Sequence, residues 1–293
     1  MHSLKALDEV ELKRLTRVAG RLFNTLQWLS PGHRPHPQRA GPGIEFLDFR
    51  EFSAGDDSRN IDWRTSARSR HPQIRRYRDV AAADWFIVLD CSASMIAGGS
   101  KKWILASQCA AALAYVLIQL GNRAGILLFS DRVKNMLAPG RGHKHYANIL
   151  HTIRETSVPE SGGRSELRSC ASLIKRKSPV IVISDFLVAD YMRKGLDALS
   201  IRGARLFALQ ILSSSDTALP SATNVSLKCV ESGQILSTQL NSTERENYRT
   251  AVQNFNDSLI QYCQKQGIHF SRHQDSELWN SVLLSHFLGQ NSR

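Results

Sequence analysis

Paired cysteines are missing from this 293-residue sequence: the five present, Cys91, Cys109, Cys170, Cys229 and Cys263, form no C-x-x-C unit and are odd in number. Neither a zinc site nor a disulfide framework is indicated, and a reducing compartment is expected. Acids are also scarce, 26 against 38 lysines plus arginines, and the charge of +12 implies attraction to acidic surfaces without naming them. The first residues lack the apolar centre and small-residue cleavage site of a signal peptide. The uncharged run Trp103 to Leu120 spans 18 residues, the lower limit for a bilayer crossing. It contains Ser107, Gln108 and Gln119 and lies between strand-like runs, so a helix buried on a sheet is expected, with no transmembrane segment. Lys101 and Lys102 follow Gly98 and Gly99 without the G-x-x-x-x-G-K-[ST] spacing, and no H-E-x-x-H occurs among the ten histidines. ATP hydrolysis by this chain is therefore not expected. An aromatic-rich basic motif is absent too, so no nucleic acid is expected as partner despite the charge.

What is present reads as a globular protein: 42% apolar and 22% charged residues are ordinary values. Leu4, Leu7, Leu12, Leu15, Val18, Leu22 and Phe23 recur at helical intervals. Residues 30–44 hold four of the nine prolines and read as an extended connection. Residues 45–80, arginine-rich and free of lysine, alternate in short runs around Gly55-Asp56-Asp57 and predict strands and loops. Arginine forks pair with carboxylates and phosphates, which allows an ion-pair lattice or an anion site there. The lattice would draw on Arg50, Arg59 and Arg64 with Asp56, Asp57 and Asp62, and would fix the amino-terminal part against the rest of the chain.

Beyond residue 83 the pattern changes. Trp85–Leu89, Ala124–Phe129, Val180–Ile183 and Leu206–Ile211 are short two-sided apolar runs, separated by helical stretches at 101–120, 166–177 and 190–202. Val133–Leu137 comes after a tight turn and predicts an antiparallel edge strand. Thr243 to Glu246 predicts a capping box for a helix running to Gly267, and Ile268–Phe270 a final strand. The fold class is α/β, a doubly wound, mostly parallel sheet with an amino-terminal helix and a small arginine-rich segment. The expected division is 1–80 and 81–293.

In such sheets ligands sit beyond the carboxyl ends of the strands. Two apolar runs end in aspartate: one gives Asp90, Ser92 and Ser94 on a tight loop, the other Ser184 and Asp185. Carboxylates and hydroxyls are hard donors, suited to Mg2+, Mn2+ or Ca2+ and not to zinc or copper. The structural alternative is that Asp90 and Ser92 cap the helix near Lys101.

The sequence Asp90-Cys91-Ser92-Ala93-Ser94 after an apolar strand resembles the metal-ion-dependent adhesion site of von Willebrand factor A domains. In that pattern D-x-S-x-S is completed by a distant threonine and aspartate. The aspartate corresponds to Asp185, and Ser165, in the loop SGGRSEL, is the nearest hydroxyl to the threonine. The upstream segment EFLDFREFSAGDDSRNIDWRTSARS is similar to the bacterial family catalogued as domain of unknown function 58. That resemblance implies a binding adaptor or assembly factor and no enzyme. It would work beside a MoxR-type AAA+ ATPase or its client, contacting an acidic side chain through the metal, in the cytoplasm or peripherally at the inner membrane. The alternatives are a metal-dependent phosphohydrolase, which would want a second aspartate where Ser92 stands, and a nucleic-acid-binding protein.

Overall fold

The computed structural model describes residues 7–25, 40–53, 56, 58, 61–69, 71–78, 82–158, 165–187, 189–202, 205–230 and 234–288. In chain order the elements are α1 (Glu9–Thr25), β1 (Ala40–Glu51), α2 (Trp63–Ser66), β2 (Gln73–Arg78), β3 (Asp84–Asp90), a 3-10 turn (Ala93–Ile96), α3 (Lys101–Gln119), β4 (Arg123–Phe129), β5 (Val133–Gly140), α4 (Gly142–Glu155), α5 (Arg168–Ala171), β6 (Val180–Ser184), α6 (Ala189–Ile201), β7 (Leu206–Leu212), α7 (Ser214–Thr217), β8 (Asn224–Lys228), β9 (Ile235–Gln239), α8 (Ser242–Lys265), β10 (His269–Gln274) and α9 (Trp279–Leu288). Two compact units result, one of Gly32–Ala82 and one of Met1–Pro31 with Ala83–Arg293.

The larger unit is built on a six-stranded sheet in the order β10-β7-β6-β3-β4-β5. All neighbours are parallel except β5, which lies antiparallel on β4. This is the doubly wound, mostly parallel sheet expected from the four two-sided runs. Side chains alternate across a strand, so Trp85, Ile87 and Leu89 of β3 enter one apolar cluster and Phe86 and Val88 the other. The first cluster takes in α1, α3 and α9, and the second α6 and α8. α3 is buried almost all round, from Lys102 and Trp103 to Leu117, which accounts for the uncharged run that begins at Trp103. Among the described residues it is also the one helix long and apolar enough to cross a membrane, with 72% of that window buried inside the protein.

Four expectations change. The division at residue 80 groups α1 with the arginine-rich segment, but its Leu12, Leu15 and Ala19 pack in the core of the sheet unit, beside α3 and α9. Its amphipathic stripe needs an apolar partner, and the sheet unit supplies it. The capping box of α8 is Asn241 with Glu244, two residues before the one expected, with reciprocal bonds of 2.8 Å. Of the helix expected at 166–177 only Arg168–Ala171 forms, and Lys177 turns with a positive φ of 63°. The capping reading of Asp90 and Ser92 is not realised at α3 either, whose amino-terminal flanking residue is Ser100.

In the smaller unit β1 pairs antiparallel with β2. Asp62 is the N-cap of α2, accepting bonds from the Arg64 and Thr65 amides at 2.9 and 3.0 Å. Arg50 and Asp56 form a 2.5 Å ion pair that holds the Asp56 carboxyl below its ordinary value, with help from the Ser53 amide. Asp57 and Arg59 of the expected lattice, and most of the 30–44 connection, lie outside the described residues.

Candidate functional site

β3 is the first strand of the sheet, and the chain crosses from β4 and β5 on one side of it to β6 on the other. The carboxyl ends of β3 and β6 therefore face the crevice that opens where the winding reverses. In register, Leu89 lies beside Ile183, which brings the next residue of each strand, Asp90 and Ser184, side by side. The Ser184 hydroxyl donates to Asp90 Oδ2 at 2.7 Å. Ser165 reaches the same oxygen from its loop at 3.0 Å, and the Ser92 amide donates to Asp90 Oδ1 at 2.9 Å. The Ser92 hydroxyl lies 3.0 Å from the Ser94 hydroxyl. Asp90, Ser92, Ser165, Ser184 and Asp185 are buried, whereas Ser94 is partly exposed on the open side.

Asp90, Ser92, Ser94, Ser165 and Ser184, all singled out in the sequence, are thus joined by direct hydrogen bonds, and Asp185, next after Ser184, is near enough for its charge to act on Asp90. Burial, reinforced by the charge on Asp185, pushes Asp90 up to about 6 in spite of the bonds from Ser184 and Ser92. Asp185 is fixed on several sides: Gln210 donates to its carbonyl at 2.9 Å, the Leu187 amide to Oδ1 at 3.3 Å, and the Lys102 ammonium to Oδ2 at 3.2 Å. The chain then turns sharply, with Phe186 at a φ of +54° although it carries a side chain. Residues held in that sparsely populated region cluster at functional sites.

Sequence reasoning missed two members of the cluster. Lys102 is fully buried and bridges Asp185 and, at 2.9 Å, Asp216. Burial alone would depress its ammonium, but the two carboxylates outweigh that and hold it above its ordinary value. Asp216 is itself set by the α7 capping box, accepting bonds from the Ser213 amide and hydroxyl at 2.7 and 2.9 Å. The signal was available, because the β7 run leads into Ser213-Ser214-Ser215-Asp216, a third polar strand end. Gly98 explains how closely this third end approaches: its φ is +75°, and a Cβ there would lie 2.4 Å from Ser215 Oγ.

Among the described residues no three His, Cys, Asp or Glu side chains gather as a metal-holding group; the donor set depends on serine hydroxyls. Those residues fit a hard cation. Their contacting atoms are all oxygens, and the 3.0 Å between Ser92 Oγ and Ser94 Oγ matches neighbouring ligands of an octahedron with bonds of roughly 2.1 Å. Of the three carboxylates, Asp185 and Asp216 share the Lys102 ammonium, and Asp90 has no cation paired with it among the described residues; the formal charge of the four is −2, a field that favours a cation. The Cys91 thiol is not part of the set. It lies 3.2 Å from the Phe129 carbonyl, and burial pushes it up to about 12.

Similar folds occur in solved structures. A conserved hypothetical protein BatB from Bacteroides thetaiotaomicron is 17% identical, covering 71% of this chain and 97% of its own, with a TM-score of 0.43. An aerotolerance-related membrane protein from Bacteroides fragilis is 14% identical over 71% of this chain and 98% of its own, with a TM-score of 0.42. The SpRpn10 VWA domain is 13% identical over 73% of this chain and 100% of its own, at 0.39. By sequence, the uncharacterized proteins Mb1516 of Mycobacterium bovis and Rv1480 of Mycobacterium tuberculosis are each 29% identical over 218 residues, 72% of this chain and 68% of theirs. The profile described as protein of unknown function DUF58 matches residues 48–257; that range includes Asp90, Ser92, Ser94, Ser165 and Asp185 and well over half of the sequence, and the chain belongs to the DUF58 family.

Proposed function

We propose that this protein is a metal-dependent protein-binding adaptor or assembly factor, in which a divalent cation held by Asp90, Ser92, Ser94 and Ser165, with Asp185 behind them, receives a carboxylate of a partner. The observation that carries this reading is the convergence of neutral hydroxyls on a single buried carboxylate, with Ser94 partly exposed beside them. Neutral donors leave the cation with charge to offer, and a carboxylate is the hard anion that completes such a shell. Binding fits better than turnover. Ser92 stands where a phosphohydrolase would need a second carboxylate, and the adjacent Cys91 thiol is protonated and turned to a backbone carbonyl. The partner that the family resemblance points to is a MoxR-type AAA+ ATPase or its client.

The test has two arms. Calorimetric titration with Mg2+ and Mn2+ should show binding to the wild type and none to Asp90→Ala. Pull-downs from the native organism should recover a partner with Mg2+ and lose it with EDTA or in Asp90→Ala; equal recovery in every condition sinks the adaptor reading.

A further inference from the structure

Lys102 is a member of the cluster that the metal reading does not use. A lysine with no exposed surface must be paired, because the cost of stripping water from an ammonium is otherwise prohibitive. Here the pairing is double, 3.2 Å to Asp185 Oδ2 and 2.9 Å to Asp216 Oδ2. The second anchor is rigid, since Asp216 Oδ2 also takes both the amide and hydroxyl of Ser213. Asp185 in turn has its other oxygen on the Leu187 amide at 3.3 Å, and its carbonyl on Gln210, whose Oε1 accepts from Arg272 Nε at 2.9 Å. Both carboxylate oxygens of Asp185 are therefore engaged by the protein. Asp90 has both oxygens engaged as well, Oδ1 by the Ser92 amide and Oδ2 by the Ser165 and Ser184 hydroxyls, but among the described residues no ammonium or guanidinium pairs with it, so the cation on Asp185 is what sets the two carboxylates apart.

We infer that Lys102 is an internal counter-cation that holds Asp185 out of direct contact with the metal, so that Asp90 alone meets the ion's charge and the remainder is kept for an incoming carboxylate. This rests on the metal reading above and adds a residue that tunes it: Lys102 is a positioning residue, not a ligand. The arrangement trades affinity for the ion against affinity for the ion's own ligand. With Lys102 gone, Asp185 can swing onto the cation, which then binds more tightly and offers less charge to a partner.

The test is calorimetric titration of Mn2+ into the wild type, Lys102→Met, Lys102→Arg, and the double variant Lys102→Met with Asp216→Asn, each with a melting curve in EDTA. Partners in the outer shell tune metal affinity by roughly 10–100-fold, so Lys102→Met should tighten Mn2+ binding by about tenfold or more, while Lys102→Arg stays near the wild type. The double variant leaves one buried acid fewer and protects the fold. It also keeps the formal charge of the cluster at −2, as in the wild type, so tighter binding there reports the release of Asp185 and not a change of field. Equal or weaker Mn2+ binding by the folded double variant overturns this inference while leaving the metal site intact. Failure of every variant and of the wild type to bind Mn2+ overturns the metal reading beneath it.

Discussion

Two buried polar clusters stand in the same sheet unit and treat charge in opposite ways. At the ends of β3, β6 and β7, Asp90, Asp185, Asp216 and Lys102 meet as a carboxylate and ammonium network. Between β10 and α9, His269, His273 and His286 meet as imidazoles. His286 Nδ1 lies 2.6 Å from Ser271 Oγ, His269 Nε2 lies 2.7 Å from the His286 carbonyl, and His273 Nδ1 lies 3.0 Å from Glu277. Burial lowers His269 and takes His286 well below its ordinary 6.5, with His269 and His273 adding to the effect on His286. His269 and His286 thus disfavour the charged form and serve as packing, edge to face at 4.7 Å. The strand-end cluster keeps charge in equally dry surroundings. Charge retained against that cost is what singles out the strand-end cluster as the candidate functional site.

Breaking the charged cluster should have the largest effect. Lys102→Ala strands two buried carboxylates, and losing one partner of a buried pair costs about 3 to 5 kcal/mol; chemical denaturation in EDTA measures it. A loss below about 1 kcal/mol would mean that the network is solvated and unlike the interior described here.

Asp90→Asn should act in the reverse direction. A carboxyl raised to about 6 from an ordinary 3.8 holds its proton more tightly folded than unfolded. Its stabilising share is complete below the unfolded value and is lost as pH rises through 6. In EDTA at pH 8 the substitution should therefore stabilise the fold by up to about 3 kcal/mol, while abolishing metal binding. A destabilised, metal-free Asp90→Asn protein would show that the carboxylate is needed for the fold itself.

The histidine cluster sharpens the contrast through the opposite slope. A lowered histidine refuses in the folded state the proton that the unfolded chain accepts, so stability is present above 6.5 and falls as pH drops below it. His286→Gln should flatten the acid limb of the melting profile by about 1.4 kcal/mol per pH unit at most. An unchanged profile would place the acid sensitivity elsewhere.

The smallest effect belongs to the Gly32–Ala82 unit. Asp62→Ala removes an N-cap, which costs about 1 kcal/mol, well short of the loss from a buried ion pair. A melting shift as large as that of Lys102→Ala would instead reveal Asp62 as a buried ionic support.

β3, β4, β6 and β7 were legible because parallel strands covered on both faces are written as unbroken apolar runs, and Asp90 and Asp185 because each ends such a run; the antiparallel pair β8 and β9, outside that sheet, was not. α6 and α8 were legible from their periodicity. α4 was written just as clearly, since Tyr146, Ile149, Leu150 and Ile153 follow the helical i, i+3, i+4, i+7 spacing, but the histidine-rich polar stretch around them masked it. The α8 cap moved by two residues because Asn241 and Thr243 have similar local chemistry, and the path of the chain out of β9 chose between them.

The sequence by itself determined the alternation of strands and helices, the burial of α3, and the pairing of an aspartate with two serines on one loop, because each is encoded in residues a few positions apart. Only the tertiary structure decided that Lys102 faces Asp185, 83 residues away, and Asp216 beyond it. Side-chain partners at that separation are set by the order in which strands enter the sheet, a property of the whole packed chain that no local pattern records. The same reason governs α1: its apolar stripe states that the helix needs a partner, and the packing of the assembled core names α3 and α9.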